Sequence, residues 1–263
     1  MIRLAVAPDW RERLMAAADA PPLRPRVPLW WRAQRIGSVE PDLFARAGLS
    51  GAAVVAPAEE GGWRVAGELS ASLQHVAEVL RATGLGHAWR DEQLAVAGED
   101  GTVLGTVERA AARPLGIATQ AVHLSAVTGD GRLWLQQRAF DKPTDPGLWD
   151  TLVGGMVPAR DSRDQALERE TWEEAGLRFA QVRGLQYGGR ILTRRPFPDL
   201  PHGYIVEVLD WFTCTLPDDV LPANQDGEVA GFGRMEPGEV VRLMHADACT
   251  IDAALVLLAA HGG

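Results

Sequence analysis

Residues 155–177, with the sequence GMVPARDSRDQALERETWEEAGL, decide the fold. Ser162 and Gln165 have the spacing of a capping box, so the sequence predicts that a helix begins after Ser162. Gly176 is a typical residue at which such a helix ends. A short strand is predicted just before this stretch, at residues 148–153. The expected order is therefore strand, loop and helix.

The predicted helix carries three glutamates on one face. Glu170, Glu173 and Glu174 stand at positions i, i+3 and i+4, so they share a single turn. Carboxylates this close repel one another unless a cation lies among them, and hard oxygen ligands suit Mg²⁺ or Mn²⁺. Arg169 can reach Glu173 at i+4 and hold its carboxylate in place. For three glutamates alone, a solvated acidic helix face is the more common explanation.

The spacing over the whole stretch resembles the Nudix box, G-x5-E-x7-R-E-U-x-E-E-x-G-U, where U is apolar. The positions that match are Gly155, Arg169, Glu170, Glu173, Glu174, Gly176 and Leu177. Asp161 stands where the box has its first glutamate, so its carboxylate reaches one methylene less far. Thr171 replaces an aliphatic residue. The resemblance implies an α/β fold, the Nudix α/β/α sandwich with a mixed sheet, preceded here by a smaller α+β domain.

The resemblance also implies roles for these residues. The implied metal ligands are Gly155, through its carbonyl, Glu170, Glu173 and Glu174, with Asp161 as a further carboxylate. Glu170 is a ligand or the general base, and the base differs among members of the family. The resemblance also implies that Arg169 is one of the catalytic residues.

Further candidates lie outside the box. Glu228, in a predicted loop, is either one more ligand or base, or a solvent-facing acid. The cationic groups of Arg138, Lys142 and Arg190 are candidate partners for phosphate oxygens, with Arg194 and Arg195 as further options. Each of these residues, taken alone, is more often a surface charge.

The implied activity is cleavage of a diphosphate bond by a metal-activated water, with a small-molecule diphosphate as the partner. Residues 116–123, 133–138, 146–150 and 222–232 further resemble a Nudix subgroup that includes the hydrolase domain attached to fungal thiamine pyrophosphokinase. That likeness implies that oxidised thiamine diphosphate is converted to the monophosphate plus phosphate. Three alternatives stay open: a hydrolase of nucleoside diphosphate derivatives such as ADP-ribose, an isoprenoid diphosphate isomerase, and a catalytically weak diphosphate sensor. The isomerase chemistry uses a cysteine in the strand region before the box, where this sequence has none.

Composition limits the partners and the compartment. The net charge of −9 argues against broad binding to nucleic acid or anionic membrane, because both need a surplus of Lys and Arg. Cys214 and Cys249 are too few for a disulfide framework, and the N-terminal residues lack the apolar core of a secretory signal. We therefore expect a cytoplasmic location. The oligomeric state is not predicted.

A change of pattern near residue 113 predicts two domains. Residues 1–113 are expected to form an α+β domain of unassigned role, and residues 114–263 the Nudix domain. The first domain is predicted to contain a hairpin at residues 52–66, an amphipathic helix around residues 73–80 and a second hairpin at residues 94–107. No long Gly/Ser linker separates the two parts, so we expect them to pack together.

Overall fold

The structure is a computed structural model that describes residues 2–51 and 53–262. Met1, Ala52 and Gly263 lie outside the described residues, so the outer ends of both predicted domains and the start of the first predicted hairpin do as well. The helices up to residue 117 are α1 (Pro8–Ala18), α2 (Leu43–Arg46), α3 (Leu69–Ala82) and α4 (Arg109–Ala112). The strands of the same part are β1 (Val27–Trp31), β2 (Gln34–Val39), β3 (Val55–Pro57), β4 (Trp63–Val65), β5 (Gln93–Ala97) and β6 (Val103–Glu108).

The rest of the chain alternates strands with three helices. The strands are β7 (Thr119–Val127), β8 (Leu133–Arg138), β9 (Trp149–Thr151), β10 (Val153–Met156), β11 (Arg183–Pro196), β12 (Tyr204–Thr215) and β13 (Val229–Met235). The helices are α5 (Arg163–Ala175), α6 (Pro237–His245) and α7 (Ile251–His261), and a 3₁₀ turn spans Phe179–Gln181. Within the described ranges, no helix combines the length and the apolar character needed to cross a bilayer.

Strands β7 to β13 form one mixed sheet. Its main order is β11-β12-β7-β8-β13, while β10 pairs with β7 and β9 pairs with β8. Strands β7 and β12 run parallel, and the other pairs are antiparallel. Apolar residues of α5 pack on one face of β7, whereas Ser125 on the other face bonds His261 of α7 at 2.9 Å. This confirms the expected α/β sandwich with a mixed sheet.

One predicted strand is wrong in its extent. Residues 148–153 form no single strand, because β9 and β10 are separated at Leu152 and pair with different neighbours. The split lets β10 run beside β7 and carry Gly154 and Gly155 under helix α5.

The smaller α+β region has its own core. Strands β1 to β4 form a sheet in the order β2-β1-β4-β3, and β5 pairs with β6 as the predicted hairpin. Helix α3 buries Leu69, Leu73 and Leu80 in this core, as its amphipathic pattern predicts. The strand pair β3–β4 agrees with the other predicted hairpin over its described residues.

Helix α1 packs in a different core from the rest of the N-terminal region. Trp10, Leu14 and Ala18 lie with apolar residues of β8, α6 and α7. Near the same surface, the guanidinium of Arg194 in β11 pairs with Asp19 at 2.9 Å. The division at residue 113 stays a prediction. Helix α1 precedes that residue in the sequence but packs with elements that follow it.

The hairpin β5–β6 is attached to the loop that leads into α5. Leu94 forms a β-bridge with Pro158, and the Ala159 N–H donates to the Gln93 carbonyl at 2.8 Å. Met156 packs against the core of the N-terminal region. The predicted packing between the two parts of the chain is therefore present at the box itself.

The position of α1 generates a test. We expect Leu14→Ala to lower the free energy of unfolding by about 2–4 kcal/mol, because it opens a cavity in the core shared with α7. The adjacent Met15, which is 54% exposed, provides a control, and Met15→Ala should change stability by less than about 0.5 kcal/mol. Urea denaturation measures both. Equal stability of the two variants would contradict this packing.

Candidate active site

Helix α5 is capped at both ends as its sequence predicts. The Ser162 hydroxyl accepts from the Gln165 N–H at 3.3 Å, and the Gln165 side chain accepts from the Ser162 N–H at 2.8 Å. Gly176 ends the helix with a φ of 65°, a conformation that favours glycine. The helix lies against β10, so its glutamates face the two glycines of that strand.

Glu174 is buried at the contact between α5 and the sheet. Its Oε2 accepts from the Gly154 N–H at 2.8 Å and from Gln136 Nε2 at 2.8 Å. Burial, and next to it the neighbouring carboxylate of Glu170, raises the pKa of Glu174 to about 8. An acid in this position attracts either a proton or a cation.

Glu170 lies one turn earlier, directly against Gly155. A Cβ at Gly155 would overlap the Glu170 carboxyl group, so only glycine allows this approach. Burial raises the pKa of Glu170 to about 7, although Arg169 opposes the shift.

Arg169 binds three carboxylates of the box. Its Nε donates to Asp161 at 2.9 Å, and its Nη1 donates to Glu170 at 3.0 Å and to Glu173 at 2.7 Å. The contact with Glu173 is the one predicted from the i+4 spacing. The carboxylates of Asp161 and Glu173 therefore bind the guanidinium of Arg169.

A cavity of about 710 Å³ opens beside α5. Four of the predicted site residues with oxygen donors line it, namely Gly155, Glu170, Glu174 and Glu228. Among the described residues on this wall, Asp161, Arg169 and Glu173 do not occur. The structure thus divides the box into residues that face the cavity and residues that hold Arg169.

Two of the three predicted phosphate partners also line this cavity. Lys142 pairs with Glu228, and the Arg138 guanidinium donates to the carbonyls of Thr144 and Asp145 at 2.9 and 3.2 Å. Arg190 lies elsewhere, because Asp210 holds its guanidinium with bonds of 3.1 and 3.0 Å. This placement does not support Arg190 as a phosphate partner. Of the two further options, Arg195 is on the wall and pairs with Asp252 at 2.9 Å, whereas Arg194 pairs with Asp19.

The donors on the cavity wall fit a hard divalent cation. Glu170, Glu174 and Glu228 supply carboxylate oxygens near Gly155, which is the donor chemistry of Mg²⁺ and Mn²⁺. Across residues 2–51 and 53–262, no group of three His, Cys, Asp or Glu side chains is gathered as a finished metal site. Arg169 binds Asp161 and Glu173, and the sheet holds Glu174. Burial, and after it neighbouring carboxylates, raises the pKa of Glu170 and that of Glu174.

Several wall residues were not among the predicted site residues. Asp150 is buried beside His123, whose Nδ1 lies 2.9 Å from the Thr151 hydroxyl. The N-terminal region contributes His87, Arg90, Arg109 and Arg113. No spacing pattern marks these four N-terminal residues in the sequence, because only the fold brings them to the box. His123 and Asp150 lie in stretches that resemble the Nudix subgroup, but that resemblance gave them no role in the site.

The two cysteines are free and buried, and Cys249 lies on the cavity wall. Burial raises the pKa of each thiol to about 12, so both stay protonated near neutral pH. A protonated thiol is a poor acid–base or nucleophilic group.

Comparisons with known proteins agree with this geometry. The profile of the NUDIX domain matches residues 118–254. Nudix hydrolase 24 of Arabidopsis thaliana, named chloroplastic, is 29% identical over 195 residues, which is 70% of this chain and 52% of the plant protein. Nudix hydrolase 20 from the same plant, also named chloroplastic, is 34% identical over 147 residues, 54% of this chain and 38% of that protein. The chain thus spans about half or less of these curated relatives.

A solved structure supports the fold alone. The crystal structure of DR0079 from Deinococcus radiodurans matches with a TM-score of 0.50 at 20% identity, covering 65% of this chain and 100% of the other.

The buried carboxylates make stability depend on pH. Because the pKa of Glu174 is about 8 in the fold and lower when unfolded, the folded state holds more protons between these values. The free energy of unfolding should therefore fall as pH rises from about 5 to about 8 in a metal chelator. Glu174→Gln should flatten this fall in urea titrations, whereas Glu168→Gln, at an exposed position of the same helix, should not. A wild-type slope in Glu174→Gln would contradict the assignment.

The close approach of Glu170 to Gly155 generates a second test. Gly155→Ala should push the Glu170 carboxylate aside and weaken Mn²⁺ binding about tenfold or more, measured by calorimetry. Gly231→Ala is the matched control, because no described atom lies within 4 Å of the added Cβ there. Equal Mn²⁺ affinities in the two variants would show that the approach does not matter.

Proposed function

Because the chain belongs to the Nudix family, we propose that it hydrolyses the diphosphate bond of a small molecule with the help of Mg²⁺ or Mn²⁺. One observation carries the proposal: Glu170, Glu174 and Glu228 line a single cavity together with Gly155, Arg138 and Lys142. Carboxylates and cations on one wall suit a bound cation and the phosphate oxygens respectively.

We assign the residues of the box to two tasks. Gly155, Glu170 and Glu174 would hold the cation, with Glu228 as a further carboxylate lining the same cavity. A cation bound there would neutralise the diphosphate and lower the pKa of a water. Asp161 and Glu173, expected as ligands, act instead through Arg169, which positions the Glu170 carboxylate.

The proposed reaction is attack of a water on phosphorus. Glu170 accepts a proton from that water, the bond from phosphorus to the bridging oxygen breaks, and the bridging oxygen leaves with its electron pair. Lys142 and Arg138 line the same wall and would stabilise the negative charge of the two phosphate products.

For the substrate we propose oxidised thiamine diphosphate, cleaved to the monophosphate plus phosphate. A cavity of about 710 Å³ is large enough to take an organic group besides the diphosphate. The support for thiamine is the likeness of residues 116–123 and 222–232 to the thiamine-linked subgroup. A nucleoside diphosphate derivative is the alternative that the cavity accommodates equally. The cytoplasmic location remains a prediction, since both plant relatives are named chloroplastic.

A phosphate-release assay tests both the proposed hydrolase activity and the proposed substrate. With Mg²⁺ or Mn²⁺, we expect kcat/KM for the oxothiamine and oxythiamine diphosphates to exceed that for ADP-ribose about tenfold or more. A buried donor or acceptor left unpaired produces discrimination of that size. Glu170→Gln should reduce kcat about a hundredfold or more with every substrate, because it removes a group acting at the reacting atoms.

The outcomes distinguish a wrong substrate from a wrong activity. A tenfold preference for ADP-ribose would reject thiamine and leave the hydrolase proposal in place. Wild-type turnover by Glu170→Gln would reject the assignment of the carboxylates.

A further inference from the structure

We propose that the N-terminal region completes the substrate site, with Arg90 as a substrate-binding residue whose guanidinium binds the diphosphate oxygens facing away from Glu170 and Glu174. This inference rests on the proposed diphosphate hydrolase activity and gives the N-terminal region a role in it.

The cavity lies between the two parts of the chain. His87, Arg90 and Arg109 of the N-terminal region line it together with Glu170 and Glu228. Arg90 and Arg109 therefore share the cavity with the carboxylates that we propose hold the cation.

The loop that carries Arg90 is held by a buried carboxylate. Glu108 accepts from the N–H groups of Arg90 and Glu92 at 3.0 Å each, and from that of Ala110 at 3.4 Å. The His87 N–H donates to the Ala110 carbonyl at 2.9 Å, and the His87 ring packs edge-on against Phe197 with centroids 4.9 Å apart. A charge on a loop fixed in this way can bind a ligand without first ordering the backbone.

The same loop leads into a strand that is hydrogen-bonded to the box. Strand β5 begins at Gln93, whose carbonyl accepts from Ala159, two residues before Asp161. The distance from Arg90 to the start of α5 is therefore set by main-chain hydrogen bonds and not by a flexible tether.

Arg90 differs from its neighbours on the wall in its pairing. Arg109 pairs with Glu92 at 2.8 Å, Arg113 with Glu207 at 2.6 Å and Arg195 with Asp252 at 2.9 Å. Within the part of the chain that the structure describes, no carboxylate oxygen lies within 4.0 Å of the Arg90 guanidinium. An unpaired guanidinium on the wall of a cavity built for a diphosphate can form two parallel bonds to phosphate oxygens.

Two measurements test this inference on the full chain. The first is calorimetric binding of methylenediphosphonate, a diphosphate that water does not cleave, in the presence of Mg²⁺. The second is steady-state kinetics with the best substrate of the diphosphate panel. Arg90→Ala should weaken binding and raise KM about tenfold or more, with kcat changed less than about threefold, and Arg90→Lys should recover part of the affinity. Arg35→Ala, at an exposed arginine of β2 away from the cavity, should match the wild type.

The results distinguish this inference from the proposed function. Binding of methylenediphosphonate that is equal in Arg90→Ala and Arg35→Ala overturns the inference even if hydrolysis is confirmed. No binding by the wild type overturns it as well. If the wild type cleaves no diphosphate but its binding still depends on Arg90, the proposed function fails and the inference stands. If Arg90→Ala melts below the wild type, the affinity of Arg90→Lys for methylenediphosphonate is compared with that of the wild type. Weaker binding by Arg90→Lys supports the inference, and equal binding overturns it.

Discussion

The site depends on a carboxylate buried between a helix and a sheet. Burying an ionised acid is unfavourable unless hydrogen bonds or a counter-charge compensate. Glu174 has two hydrogen bonds, one of them to the main chain of β10, so the same contact fastens α5 to the sheet and creates a demand for positive charge. Glu170, one turn away, adds to that demand. The hydrogen bond from the Gly154 N–H to Glu174 therefore has two effects: it orients α5 on the sheet, and it keeps a carboxylate buried that needs a positive charge beside it.

Arg169 explains why the acidic residues of the box are not equivalent. It lies among Asp161, Glu170 and Glu173 and neutralises part of their charge. The shorter Asp161 still reaches it at 2.9 Å, so the departure from the usual glutamate is accommodated within an ion-pair network. Glu170 belongs to both groups: it bonds Arg169 and lines the cavity. Its carboxylate is therefore held on one side by the protein and open on the other.

Local signals predicted what local forces determine. The capping box at Ser162 and the stop at Gly176 follow from neighbouring residues, and both were predicted from the sequence. Strands β1, β2 and β13 were not predicted, because these short segments contain Pro or Gly and become strands only through pairing with other strands. For the same reason, the sequence could not show which of the two candidate phosphate partners, Arg138 and Arg190, lines the cavity. Each is a lone arginine, and only the fold pairs one of them with Asp210.

Helix α1 has a consequence for the order of events during synthesis. Its core partners, α6 and α7, are the last helices of the described chain to leave the ribosome, some two hundred residues later. The buried residues of the core at 29–117 all come from earlier segments, so this core can begin to form while translation continues. Helix α1 stays without its core partners, with Trp10 and Leu14 unburied, until α6 and α7 have been made.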